Sequence, residues 1–501
     1  MLNAPRLLLL FFSLLLLHCL GNWELPLLDR DEPRFAEASR EMLQRGDWIV
    51  PYCNGVVRFD KPPLIYWVQV ASYKVFGENE FGARFPSAVF AAATSVILAL
   101  WGARMGGAAT GWRAALIFGL CLQTIVHARS AVADMAMVFF VALAAWAGWE
   151  ALRLGQHNAG DSSGKSGTAK WKWLFWIALG FGFLAKGPIA WIPIGMAGVS
   201  GFRLLQTELR PNSAGFTTRR ILITLLLMVG GCLLTLAIVG AWGIPALIRT
   251  HGEFATVGLG KHVVKRSVFA LEGHGAKSIS GWILSIPYYY VLVFASFFPW
   301  SIWLPSGVRH FWKTRKALSE TTIYLLTGVV LIFAIFTFSR TKLPHYTLPA
   351  FPFLALLLAK WWAGHRSDSL FRKWVIGMVV AEAVVTLAGF ALLSPHFPVR
   401  KLYRESASWL EPKTELAMTT EYQEPSIPWQ FRTKLIPYQP VIKKASAQSW
   451  MEQPGPHALI LPEEFVGQFL PQFSPDWKTA RASGFNFVNA RKVKLILVYK
   501  P

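Results

Sequence analysis

The run RLLLLFFSLLLLHCLGNW (Arg6–Trp23) gives way within a few residues to LLDRDEPRFAEASREMLQRGDW (Leu27–Trp48), where Asp29, Asp31, Glu32 and Glu37 are interleaved with arginines. The first stretch suits hydrocarbon. The second cannot remain there, because a charge at the bilayer centre costs roughly 3 kcal/mol even on the mildest scale. A chain that makes this passage crosses a membrane and opens onto a polar loop. Arg6 gives the first run the basic flank of a signal peptide, but no small-x-small cleavage site follows it, so it reads as a retained span.

The same reading extends along the 501 residues, of which 53% are hydrophobic and 16% charged. The mean hydropathy is +0.38, and the apolar residues fall in long runs. Runs near 6–26, 83–102, 112–127, 131–152, 171–186, 188–205, 221–243, 281–305, 321–339, 344–363 and 374–394 are long enough to span. The expectation is an all-α polytopic membrane protein with about 11 to 13 transmembrane helices. With the amino terminus inside, the inner connections carry Arg104 and Arg113, the basic cluster Arg153–Lys172, Arg203–Arg220, Arg309–Lys316, and Lys360–Lys373. That is the positive-inside pattern. Much of the net charge of +22 is therefore topological, and nucleic acid is not an expected partner.

Beyond about Ser394 hydropathy falls, and short runs such as HALILP and KVKLILVYKP alternate with Pro, Gly and charge. This predicts a transmembrane domain over 1–394 and a small C-terminal α/β soluble domain over 395–501 on the outer side. Cys19, Cys53, Cys121 and Cys232 are scattered and offer neither a disulfide framework nor a CxxC site. GDSSGKSG lacks the phosphate-loop spacing, so no directly bound nucleotide cofactor is expected.

Alternation places four pieces outside: the loop 27–82, the turn around Arg129–Asp134, the loop 244–280, and SRTKLPHYTLP at 339–349. Asp31 and Pro33 open a helix with Phe35, Ala38, Met42 and Leu43 on one face, and Gly46 ends it. Such a helix would lie along the interface, with Glu37, Arg40, Glu41 and Arg45 as solvated pairs worth a few tenths of a kcal/mol. A carboxylate at Asp31 is stabilised by the free N–H groups of the helix start, which suits a cap as well as a catalytic acid. Asp134, with Arg129 before it, lies just inside a span, where an ionisable group is costly and usually functional. Lys61, Arg266, Lys342 and His345 are cations or proton carriers on the same side, suited to clamping a phosphate. His251, His262 and His274 match no local metal motif.

RDEPRFAEASREMLQRGDWIVP, FDKPPLIYWV, GARFPSAVFA, ARSAVADMAMVFF, FLAKGPIAWIPI and SRTKLPHYTLPAFP, in this order, resemble the integral-membrane glycosyltransferases of the GT-C type. That family includes the bacterial 4-amino-4-deoxy-L-arabinose transferase of lipid A and, more distantly, protein O-mannosyltransferases. The resemblance covers about Asp31 to Pro352. It implies a bacterial inner-membrane enzyme that takes a sugar from a polyprenyl phosphate at the periplasmic face. It makes Asp31 the first-loop aspartate and Asp134 a second functional one. Arg34 completes the first motif, and Lys61 is the basic residue near the lipid phosphate. Family members commonly have Glu before that lysine, in a position implicated with a loop histidine in holding a divalent metal. Here that position is Asp60, with His262 as its expected partner, and Phe35 stands where Tyr is usual.

The residues and the resemblance point to one reaction. Lys61, Arg129, Arg266, Lys342 and His345 would bind and neutralise the donor's phosphate, and Asp31 would take a proton from an acceptor hydroxyl. A single displacement of this kind inverts the anomeric centre. The acceptor could be a lipid A-like lipid, a polysaccharide or a protein. The rival class is a lipid or small-molecule transporter, which should show symmetric halves and acids buried at mid-bilayer; neither is evident in the sequence.

Overall fold

The computed structural model describes residues 3–28, 30–157, 165–208, 218–265, 278–431, 441–487 and 489–501. It is a mostly helical multi-pass membrane protein with a β-sheet near its C-terminus. Among the described residues, seven helices are long and apolar enough to cross a membrane. The count is nine if each of two bent pairs is one span, short of the eleven or more expected. Helices α1 (Ala4–Cys19) and α8 (Lys165–Lys186) occupy two further expected positions. The first is only 16 residues long.

The remaining N-terminal helices are α2 (Asp31–Arg45), α3 (Leu64–Phe76), α4 (Glu80–Gly106), α5 (Ala108–Gly119), α6 (Leu122–Ala128), α7 (Asp134–His157), α9 (Ile192–Glu208) and α10 (Thr218–Arg249). The runs read as straight spans near 112–127 and 281–305 are both broken. Helices α5 and α6 meet at 65°, and Ser280–Ser296 meets Trp300–Lys313 at 117°. A helix break in lipid needs partners for the freed backbone groups. Here the two breaks supply each other, the Leu122 N–H donating to the Phe298 carbonyl at 2.9 Å. Between α4 and α5 the backbones touch: a Cβ at Gly111 would lie 2.1 Å from the Ala99 carbonyl oxygen, so only glycine allows this approach.

Helix α2 has the predicted bounds, opening at Asp31 and closing at Gly46, whose φ of 67° is the left-handed conformation glycine takes cheaply. Phe35, Ala38 and Met42 are buried against Ile65, Tyr66 and Val70 of α3, as their shared face predicts. The opposite face departs from expectation. Glu37, Arg40 and Glu41 are at most 1% exposed rather than solvated. The hairpin of β1 (Tyr52–Cys53) and β2 (Val56–Val57) covers the Glu41 side, where the Gly55 N–H donates to Glu41 Oε1 at 3.1 Å. The segment Ser426–Phe431 covers the Arg40 side.

The C-terminal sheet runs in the order β3 (Glu415–Met418), β4 (His457–Pro462), β6 (Arg491–Lys500), β5 (Lys478–Asn486). β3 is parallel to β4; the other pairs are antiparallel. Along β6, Leu495 and Leu497 enter one core while Ile496 and Val498 enter another, so the sheet is covered on both faces.

The last apolar segment, Asp368–His396, contains a buried acid that its sequence did not announce. Glu382 accepts from Arg129 Nη2 at 2.9 Å, and its Oε1 lies 3.0 Å from His18 Nδ1. The expectation that no acid would be buried in a span is therefore corrected. The physical reason is pairing: a buried carboxylate persists when a guanidinium and a second hydrogen-bonding group share its cost.

Candidate active site

Two helix starts are tied together by Glu32. Its carboxylate accepts from Arg84 at 2.9 and 2.8 Å, from the Leu28 N–H at 2.7 Å, and from the Ala131 N–H at 2.8 Å, across 99 residues. Ala131 lies three residues before Asp134, the first residue of α7, and Asp31 precedes Glu32 as the first residue of α2. A charge-assisted bond to a buried backbone N–H, with the carboxylate also held by Arg84, fixes the two segments to one another. Asp31 is exposed at this junction and Arg34 is half-buried one turn along.

A cavity of about 810 Å³ has neither Asp31 nor Arg34 in its wall. Its walls come from segments far apart in sequence: 59–62, the α8–α9 turn, α10, the π-helical Phe254–Lys265, and 331–346. Most of the wall is apolar, with Ile189, Leu236, Val239, Leu247 and Ile335 among its side chains, while the polar groups gather as Asp60, Lys61, Lys186, His345 and Tyr346. Parts of three outer pieces, residues 59–62, 244–258 and 339–346, together with the turn at 186–188, thus meet around one volume, whereas the turn Arg129–Asp134 does not line it.

Asp134 is buried and accepts from Lys186 Nζ at 2.5 Å. His345 Nε2 stands 3.9 Å from the same carboxylate oxygen, and the His127 and His345 rings are 5.3 Å apart. Asp134 is therefore the counter-ion of a lysine that lines the cavity and is not an unengaged base. Lys61 Nζ donates to its neighbour's Asp60 carbonyl at 3.2 Å, and the Asp60 carboxylate lies 3.2 Å from Arg58. Two ammonium groups, an imidazole and a phenol in the wall of a mostly apolar cavity form an arrangement that can hold an anionic head group while a hydrocarbon chain lies along the wall.

Two expected phosphate ligands are elsewhere. Arg129 gives its guanidinium to the Leu17 and Leu20 carbonyls and to Glu382, tying α1 to the last span. The Lys342 ammonium donates to the Phe336 and Thr337 carbonyls at 2.7 and 2.5 Å, satisfying the end of helix Glu320–Phe338. Burial also pushes the Lys342 ammonium down to about 8. Both cations are consumed by carbonyls left over at helix ends, a demand that local sequence does not display. Arg266 lies outside the described residues. His262 is on the segment Phe254–Lys265, with its side chain outside the described residues.

Among the described residues no three His, Cys, Asp or Glu side chains converge as a metal site would require. Asp60 contributes one carboxylate, which faces Arg58, and the side chain of its expected partner His262 lies outside the described residues. Lys186 was missed in the sequence. Its signal was present: a lysine ending an apolar run at Gly187-Pro188, in a turn that alternation places on the same side as the other outer pieces.

Residues 7–247 match the family model described as dolichyl-phosphate-mannose-protein mannosyltransferase. The undecaprenyl phosphate-alpha-4-amino-4-deoxy-L-arabinose arabinosyl transferase of Pectobacterium carotovorum subsp. carotovorum (strain PC1) is 30% identical over 408 residues, 79% of this chain and 66% of that protein. The protein of the same description from Pseudomonas aeruginosa (strain UCBPP-PA14) is 32% identical over 410 residues, with 78% and 66% covered. The matched stretch thus spans just under two thirds of these curated relatives. Among solved structures, ArnT from Cupriavidus metallidurans bound to undecaprenyl phosphate superposes with a TM-score of 0.72 at 21% identity, covering 99% of this chain and 98% of that one. The archaeal oligosaccharyltransferase AglB from Archaeoglobus fulgidus gives 0.51 at 13% identity, covering 86% and 64%. These likenesses establish a shared fold.

Proposed function

Since the chain belongs to the GT-C family of integral-membrane glycosyltransferases, which includes the aminoarabinose transferases and the protein O-mannosyltransferases, we propose that it is an inverting, polyprenyl-phosphate-sugar-dependent glycosyltransferase with a lipid A-like acceptor. The observation that carries this reading is the cavity, a mostly apolar volume of about 810 Å³ with Lys61, Lys186 and His345 in its wall. The polyprenyl chain would lie along the apolar wall and the phosphodiester among the cations.

In the reaction the acceptor oxygen forms a bond to the anomeric carbon as the bond from that carbon to the phosphate oxygen breaks. The electron pair stays with the departing polyprenyl phosphate. Lys61 and Lys186 are placed to offset this added charge, and they do so more strongly in a low-dielectric cavity than in water. Asp134 holds the Lys186 ammonium in place. Where the acceptor is a hydroxyl, its proton goes to Asp31; where it is a lipid phosphate, the nucleophile is already anionic and Asp31 orients the sugar or balances charge.

We place the chain in the bacterial inner membrane with this site facing the periplasm. With α1 and α8 taken as spanning too, the described residues hold eleven transmembrane helices, an odd number that supports a C-terminal unit, residues 395–501, on the same side as the loops 27–82 and 244–280. The basic inner connections support this orientation.

The test is transfer by the purified protein in nanodiscs from an undecaprenyl-phosphate-linked sugar, combined with mass spectrometry of envelope lipids and glycans from cells with and without the gene. A mass difference of one sugar on lipid A supports the reading. A sugar lost from protein or polysaccharide reassigns the acceptor. Movement of the lipid without transfer would make the chain a transporter and end the proposal.

A further inference from the structure

The charged face of α2 does not serve the cavity, yet it is among the most completely buried parts of the loop. Arg40, 1% exposed, donates from one nitrogen to the Pro428 carbonyl at 3.0 Å and the Trp429 carbonyl at 2.9 Å, and to Glu37 on its own helix. Those carbonyls belong to the six-residue helix Ser426–Phe431, in the part of a helix where carbonyls have no partner within it. The Arg40 guanidinium also lies 4.5 Å from the Trp429 ring centroid. Trp429 in turn stacks at 6.2 Å against Tyr73, whose hydroxyl donates to the Ala36 carbonyl of α2 at 3.1 Å. At the start of α2, Arg30 Nε is 3.9 Å from the buried Glu424 carboxylate, which accepts from Asn486 of β5 at 3.0 Å. The C-terminal unit therefore holds α2 at its first residues and at its middle, while Phe35, Ala38 and Met42 hold the other side against α3.

A pair worth only a few tenths of a kcal/mol on a wet helix does not explain this investment. A buried Arg–Glu pair is weak grounds for stability, because an apolar pair of equal volume stabilises as well or better. What the Arg40 guanidinium gains over an apolar contact is direction: bonds from its Nη2 to two carbonyls and a carboxylate fix the helix in register and rotation. Helix α2 is the element whose first turn carries Asp31, Glu32 and Arg34.

We propose that the C-terminal unit sets the position of α2 for the transfer step through Arg40, a positioning residue that grips the Pro428 and Trp429 carbonyls. This rests on the glycosyl-transfer reading above. Losing the grip lets the start of α2 shift relative to the donor, and a displacement of about 1 Å at a reacting centre costs on the order of 10²-fold in rate.

The experiment uses the full chain in nanodiscs, with kcat and KM measured for an undecaprenyl-phosphate-linked sugar, and hydrogen exchange of the α2 amides measured without substrate. Arg40→Lys keeps a charge for Glu37 on a shorter side chain, which draws the donor back from the Pro428 and Trp429 carbonyls and removes the planar group over the Trp429 ring. Expected are a kcat lowered by about tenfold to 10²-fold, an unchanged donor KM because the cavity is intact, and faster exchange over α2. Glu424→Gln is expected to lower kcat in the same direction by less. If Arg40→Lys does not insert, Trp429→Leu serves instead, since it keeps the carbonyls and removes the ring beneath the guanidinium. A wild-type kcat in the variant that folds, or a fall in donor affinity with kcat preserved, overturns the proposal. An absence of transfer by the unmodified protein instead overturns the glycosyl-transfer reading, and the exchange measurement then still decides whether Arg40 holds α2.

Discussion

Replacing Lys186 by methionine separates two roles that the structure assigns to one side chain. Its ammonium lies 2.5 Å from Asp134 Oδ1, and the two side chains are 15% and 6% exposed. Lys186→Met leaves the Asp134 carboxylate buried beside the imidazole of His345, 3.9 Å away, with His127 near it. Removing one partner of a buried pair costs about 3–5 kcal/mol, a large part of the roughly 5–15 kcal/mol that holds a typical domain together. The variant should therefore melt well below the unmodified protein, followed by intrinsic fluorescence from a chain with 23 tryptophans. Loss of a cation that offsets charge on the departing phosphate should also cost about 10²–10³ in kcat. The decisive measurement is the double variant Asp134→Asn/Lys186→Met. Removing the orphaned charge should restore most of the stability while the rate stays low, because the phosphate still lacks its cation. If the double variant transfers sugar at the unmodified rate, Lys186 is only the counter-ion of Asp134 and the proposed contact with the donor is wrong.

Asp31→Asn should abolish transfer to a hydroxyl acceptor with no change in insertion or melting, because an exposed carboxylate is removed without loss of volume; normal turnover takes Asp31 out of the mechanism. Lys61→Ala should raise the KM for the phosphate-linked donor, and an unaltered KM speaks against a phosphate contact there. Lys342→Met should leave donor KM unchanged. Because burial holds the Lys342 ammonium at about 8 in the folded chain against 10.5 when free, the unfolded chain binds more protons between those values and stability rises with pH across that window. That rise should be missing in Lys342→Met, and a melting curve with the same pH slope in both proteins contradicts the placement of Lys342 at the helix end. Treatment with EDTA should leave the rate unchanged on the donor set described around Asp60; activity lost and then restored by Mg²⁺ or Mn²⁺ would put a metal between Asp60 and His262.

The membrane class, the approximate positions of most spans and the bounds of α2 were legible in the sequence. Each depends on local or additive quantities: the hydropathy of about twenty residues, a proline in a first turn and a glycine at a helix end. What each charged residue does was not legible, because that depends on which partner tertiary structure brings to it. Arg129 and Lys342 looked as available to a phosphate as Lys61. Folding gave Arg129 to Glu382, 253 residues away, and Lys342 to the carbonyls of the preceding helix. Arg40 and Glu37 looked wet until the C-terminal unit closed over them. Lys186 looked like the end of a span until its turn met Asp134. A sequence shows that a charge must be solvated or paired; only the three-dimensional path of the chain decides by what.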